Sequence, residues 1–160
     1  MATVYLLTGS NLGDRKKQLR QAAALIDNQA GPVTATSLLY ETAPWGKIDQ
    51  PAFLNQAICI ATEKPPQALL ATLLSIEQQM GRIRAERYGP RIIDIDILLY
   101  DQLIVQEDSL QIPHPELPRR RFALLPLAEI AAGLWHPTFC CSIETLLQQT
   151  EDQGPVNTID

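Results

Sequence analysis

The hydrophobic period changes several times along the chain, and each change marks an element. Val4-Tyr5-Leu6-Leu7-Thr8 has strand character and stops at Gly9-Ser10-Asn11. Leu19, Ala22, Ala23, Leu25 and Ile26 then recur at helical spacing, with Asp14 as N-cap or first-turn acid and Gly31-Pro32 as the stop. Val33 to Tyr40 predicts a second strand, Thr42 to Pro51 a loop, and Phe53 to Thr62 a third strand. Pro65-Pro66 opens a second helix carrying Leu69, Leu70, Leu73, Leu74 and Ile76 and ending near Gly81. A strand over Ile92 to Tyr100 completes a β-α-β-β-α-β order. That order is ferredoxin-like: an α+β fold with a mainly antiparallel sheet and helices packed on it. Asp101-Gln102 reads as a turn, Leu110 to Ile112 as a short strand, and Pro113-His114-Pro115 as extended chain. Helices over Phe122 to Ala131 and Ile143 to Gln149 make a C-terminal extension. Residues 1–150 are expected to form one domain, followed by a polar C-terminal tail over 151–160 that frays.

The last core strand holds the most informative residues. In Ile92-Ile93-Asp94-Ile95-Asp96-Ile97-Leu98-Leu99-Tyr100, alternation puts both acids on one face and Ile93, Ile95 and Ile97 on the other. The isoleucines then point at the helices and the acids away from them. Like charges about 7 Å apart on a strand repel, and a divalent cation removes that cost. Few oxygen ligands, with room for waters and phosphate oxygens, suit Mg²⁺ better than zinc. An edge strand with two solvated acids gives the same pattern. What favours metal–phosphate chemistry is the upstream set Arg82, Arg84, Arg87 and Arg91, the forked donors a polyphosphate takes. Phe53 and Asn55 share a parity opposite to Leu54, Ile58 and Ile60, so they look out from the acid face, although Gln56 breaks the apolar parity.

Composition sharpens this. The 160 residues carry a net charge of -5, against a general nucleic-acid or acidic-membrane binder. Seven of the thirteen basic residues lie between Arg82 and Arg121, and all seven are arginine, a local anion site in an acidic chain. Cys59 falls in an apolar run, and adjacent Cys140 and Cys141 offer no zinc spacing or disulfide framework. Val4–Leu7 is too short for a signal peptide and no segment reaches a membrane span, so a cytoplasmic protein is expected. There is no P-loop sequence, and Gly9-Ser10-Asn11-Leu12-Gly13 is a strand-to-helix turn, not a dinucleotide fingerprint.

The segments together resemble one family. Tyr88-Gly89-Pro90-Arg91-Ile92-Ile93-Asp94-Ile95-Asp96-Ile97-Leu98 is joined by Gly9-Ser10-Asn11-Leu12-Gly13, Tyr40-Glu41-Thr42-Ala43-Pro44, Phe53-Leu54-Asn55, Pro113-His114-Pro115 and Arg120-Arg121-Phe122. In this order they are similar to the 6-hydroxymethyl-7,8-dihydropterin pyrophosphokinases, over roughly residues 2 to 135. The resemblance implies a folate-biosynthesis transferase that moves the β,γ-diphosphate of ATP to the pterin hydroxymethyl group and leaves AMP. It also implies Arg82, Arg91, Asp94 and Asp96 as catalytic residues, with Asp94 and Asp96 holding two Mg²⁺ ions. For the pterin it implies Thr42, Pro44, Trp45, Phe53, Asn55, Asp94 and Phe122. For ATP it implies Glu77, Arg82, Arg84, Tyr88, Arg91, Ile97, His114 and Arg120, with Arg119 and Arg121 as weaker candidates. Loops over Ala43 to Gln50 and Arg82 to Gly89 are expected to close over ligands. The substrates are then ATP and the pterin, with no nucleic acid, no membrane and, by resemblance, a monomer. Leu74 stands where many members carry a polar residue, and Tyr88 where tryptophan is common.

Two other functions use some of these residues. A Mg²⁺-dependent phosphohydrolase would employ the same acids and arginines with water as nucleophile, but gives Trp45, Phe53 and Asn55 no task. A ferredoxin-like regulatory or RNA-binding module would want basic and aromatic residues where this sheet face carries acids.

Overall fold

The computed structural model describes residues 1–42, 51–82 and 91–159. Strand β1 (Ala2–Ser10) leads to helix α1 (Arg15–Gln29), whose N-cap Asp14 accepts from the Lys17 amide at 3.2 Å. Strands β2 (Val33–Thr36), β3 (Leu39–Thr42) and β4 (Phe53–Thr62), helix α2 (Pro66–Gln79) and strand β5 (Asp94–Tyr100) follow. The extension holds β6 (Val105–Gln106), β7 (Gln111–Ile112), a 3-10 turn at Leu117–Arg119 and α3 (Arg121–Ala131). It continues with β8 (Trp135–His136), β9 (Cys141–Ser142), α4 (Ile143–Gln149) and β10 (Val156–Ile159). The main sheet runs β10-β3-β4-β1-β5, antiparallel throughout, with β2 also paired to β4.

One face of the sheet is closed by α1 and α2. Leu19, Ala22 and Ile26 of α1 and Leu69, Leu73 and Ile76 of α2 pack on Val4, Leu6, Leu54, Ile58, Ile60, Ile93, Ile95 and Ile97. The other face is covered only in part. There Leu7, Leu98 and Leu99 meet Leu117, Ala123, Leu124 and Leu127, with Ile143 and Leu146 of α4 behind them. A bulge allows β5 to serve both layers. Tyr5 pairs with Leu99 and Leu6 with Ile97, so Leu98 is the extra residue and the alternation flips beyond it.

Two expectations change. The strand expected over Val33 to Tyr40 is split, because Ser37 and Leu38 leave the ladder. The Ser37 hydroxyl accepts from the Ala57 amide at 2.9 Å, and Glu129 of α3 takes the Leu38 amide at 3.0 Å. Gln56, which broke the apolar parity, sits at this gap and donates to the Ser37 carbonyl at 2.9 Å. The tail does not fray over Val156–Ile159. It adds strand β10 to the outer edge of β3, where Ile159 packs against the core and the edge amides gain partners. Asp152 guides the chain there by accepting from the Arg121 amide at 3.0 Å.

Candidate active site

Register assembles the acid face. Tyr40 pairs with Asn55, Asn55 with Gly9, and Gly9 with Asp94, a row of four residues across β3, β4, β1 and β5. One step further, Leu7 pairs with both Ala57 and Asp96. Glycine at position 9 is a packing requirement: a Cβ there would lie 2.5 Å from the Asn55 Nδ2 atom. Asn55 lies across that space, donates to the Thr8 carbonyl at 3.2 Å, and is buried. Its Oδ1 is also buried and has no hydrogen-bond partner among the described residues. An orphan acceptor of this kind costs free energy unless a ligand donor meets it. At the other end of the row, Tyr40 donates to the Glu129 carboxylate at 2.5 Å, and burial, with that acceptor, pushes its phenol up to about 12.

Arginines grip the first acid. Arg91 reaches Asp94 Oδ2 at 2.7 Å and Arg82 reaches Asp94 Oδ1 at 3.3 Å. Arg82 also contacts Glu77 of α2 at 3.0 Å. Asp96 is in a different state: desolvation first, then the Asp94 charge, pushes its carboxyl up to about 7, against the opposing pull of Arg120 and Arg91. No third His, Cys, Asp or Glu joins these acids as a ligand set among the described residues. Water and substrate oxygens would have to complete any cation shell.

His114 follows β7, and its Nδ1 accepts from the Glu116 amide at 3.1 Å, which leaves the ring proton on Nε2. Burial, then the Arg120 charge, lowers its pKa to about 4. It is a neutral donor. The Arg120 guanidinium lies 5.6 Å from the Phe122 ring centre, a cation–π contact at the start of α3. Phe53 pairs with Thr42, whose hydroxyl donates to the Pro155 carbonyl at 3.4 Å. Ile97 has its side chain in the apolar core under α1 and α2, so only its main chain is left for a nucleotide. Arg119 is an exposed partner of Glu116, and Arg121 ties down the tail through the Gly154 carbonyl at 3.1 Å. Pro44, Trp45, Arg84 and Tyr88 lie outside the described residues, as do the whole Ala43 to Gln50 loop and all of the Arg82 to Gly89 loop except Arg82.

Asn11 was not assigned a task from the sequence. It is buried, accepts from the Arg91 amide at 2.7 Å and donates to the Pro51 carbonyl at 3.0 Å. Its main-chain amide adds a bond to the Arg91 carbonyl at 3.0 Å. The turn after β1 thus fixes Arg91 beside Asp94. The sequence signal was its place, just past a strand end in Gly-Ser-Asn.

Comparison with known proteins gives a consistent result. The profile of the 7,8-dihydro-6-hydroxymethylpterin-pyrophosphokinase family matches residues 5–132. The 2-amino-4-hydroxy-6-hydroxymethyldihydropteridine pyrophosphokinase of Methylorubrum extorquens is 46% identical over 135 residues, 84% of this chain and 85% of its own length. The Bacillus subtilis protein of the same name is 46% identical over 127 residues, 79% of this chain and 76% of its own. Among solved structures, Plasmodium falciparum HPPK-DHPS aligns over 92% of this chain with a TM-score of 0.76 at 19% identity. This chain spans 43% of that longer chain, and the likeness supports the fold.

Proposed function

We infer the chemistry of this site from its family: the chain belongs to the 7,8-dihydro-6-hydroxymethylpterin pyrophosphokinases. It is an ATP-dependent pyrophosphokinase of folate biosynthesis, transferring the β,γ-diphosphate of ATP to the hydroxymethyl group of 6-hydroxymethyl-7,8-dihydropterin and releasing AMP. The observation that carries the residue assignment is the row joining the orphan Asn55 acceptor, through side-chain-free Gly9, to Asp94.

In this reading the pterin lies over Gly9. Asn55 Oδ1 accepts from one of its ring or amino N–H groups, and Phe53 and Phe122 wall it. Thr42 and Asp94 complete the polar contacts, with Pro44 and Trp45 assigned from the family. Asp94 and Asp96 fit a hard cation, since both are oxygen donors on one face and the Asp96 charge is costly until compensated. Two Mg²⁺ ions bound there would neutralise phosphate charge and make the hydroxymethyl oxygen a better nucleophile. Arg82 and Arg91 stand ready as forked donors to the moving diphosphate. Neutral His114 donates through Nε2 without adding charge, while Arg120 meets the nucleotide on the extension side. The main chain at Ile97, together with Arg84 and Tyr88, is assigned to the ATP side by family match.

The protein is proposed to act as a cytoplasmic monomer; among the described residues no helix is long and apolar enough to cross a membrane. The deciding experiment incubates the protein with ATP, Mg²⁺ and the pterin and separates nucleotides. AMP in step with diphosphorylated pterin is expected. ADP or free phosphate as product would replace this reading with a kinase or a phosphohydrolase.

A further inference from the structure

We propose that Glu77 is a positioning residue for Arg82, not a contact of the nucleotide; the inference rests on the pyrophosphokinase reading. Glu77 lies near the end of α2, whose other buried positions are Leu69, Leu73 and Ile76, and is only 3% exposed. A buried carboxylate at the negative end of a helix is unfavourable unless its oxygens are engaged. Both are. Oε2 accepts from the Ile95 amide at 2.7 Å, on the outer edge of β5, where among the described residues no strand offers a partner. Oε1 accepts from Arg82 at 3.0 Å.

The backbone makes the same connection a second time. Gly81 takes φ +88, its amide donates to the Gln78 carbonyl at 3.0 Å, and the Arg82 amide donates to the Glu77 carbonyl at 3.0 Å. This is a Schellman stop, which turns the chain back over the last helical turn. Glu77 therefore holds Arg82 by its main-chain carbonyl and by its carboxylate together. Arg82 is left almost fully buried, with its other nitrogen 3.3 Å from Asp94. One side chain thus joins α2, the edge of β5 and the first arginine of the catalytic set. A donor fixed in this way needs no reorganisation as charge shifts at phosphorus.

The test is a double-mutant cycle of Glu77→Gln with Arg82→Ala, read by single-turnover kcat, by the dissociation constant of a non-hydrolysable ATP analogue, and by thermal unfolding. Glutamine keeps the size but offers one acceptor where two donors wait, so Arg82 loosens. The expected result is a loss of about tenfold or more in kcat with analogue binding held within about twofold. In the Arg82→Ala background, Glu77→Gln should add less than about twofold. If Glu77→Gln does not fold, Glu77→Asp, too short to reach both donors, takes its place in the cycle. Weaker analogue binding that accounts for the whole loss would overturn the proposal and make Glu77 a nucleotide contact. Multiplying kcat losses in the double mutant would overturn it too. A wild-type protein that yields no AMP removes the premise, whatever the cycle shows.

Discussion

The two faces of the sheet are built from the same strands and have opposite fates. Under α1 and α2, Ile93, Ile95 and Ile97 are buried among aliphatic side chains, and the layer is closed. On the reverse, residues one position away, Asp94 and Asp96, stand in a half-covered layer with arginines on one acid and a raised pKa on the other. The closed face supplies the free energy of folding, through burial of apolar area. The open face leaves some of its polar potential unmet, including Asn55 Oδ1. In the proposed reading, stability and function are separated by the thickness of one strand.

Single substitutions on neighbouring residues of β5 test that separation most strongly. Asp96→Ala should lower kcat by at least on the order of a hundredfold to a thousandfold. Its unfolding midpoint at pH 8 should hold or rise, since a costly charge is removed; a large drop in midpoint would mean that the acid supports the fold. Ile95→Ala should do the converse, costing about 2–5 kcal/mol of stability by denaturant titration. The folded fraction should keep near-normal turnover at low temperature. Should both variants lose activity and stability together, the faces are not independent.

A smaller effect is expected at the far end of the row. Asn55→Ala should weaken pterin binding about tenfold, for one lost buried hydrogen bond of ~1.4 kcal/mol, and leave ATP binding unchanged. Gly9→Ala should reproduce that pattern by displacing the Asn55 amide, which calorimetry with each ligand can check. The reverse selectivity, with ATP weakened and pterin unaffected, would move the pterin elsewhere.

The mildest expected effect is a pH dependence. Burial and the Asp94 charge push the Asp96 carboxyl in the folded chain from its ordinary 3.8 up to about 7, so folding favours its protonated form. Its contribution to stability is complete below about 4 and is lost as pH rises through about 7. A cation must displace that proton, so Mg²⁺ should bind more tightly at pH 8 than at pH 6, with proton release in calorimetry. Asp96→Asn should gain stability relative to wild type between pH 5 and pH 8. Equal pH profiles would place Asp96 in a better-solvated setting than its surroundings suggest. Folding linkage at His114 has the opposite sign: its lowered pKa makes its contribution present above about 6.5 and lost as pH falls through about 4.

Much of this could be read from the chain. Helix α4 and strand β4 have the predicted limits, Ile143–Gln149 and Phe53–Thr62, and Asp14 caps α1. The parity of Asp94 and Asp96 was legible because a strand's alternation is local and strict. The alternation failed only past Leu98, where a bulge set by pairing with β1 shifts the count. Glu77 is implied by the resemblance only as an ATP contact. It is buried because β5 ends the sheet and leaves the Ile95 amide facing α2.

By itself the sequence determined which residues share a face, where helices start, and that acids and arginines lie close along the chain. It also carried enough ordered motifs to indicate the family. Only the tertiary structure decided that Asn11 braces Arg91, that Glu77 holds Arg82 against Asp94, and that Val156–Ile159 completes an edge. The physical reason is range. Side-chain direction within an element follows from a few neighbouring dihedrals, whereas a partner eighty residues away is chosen by strand order and register, which no local pattern encodes.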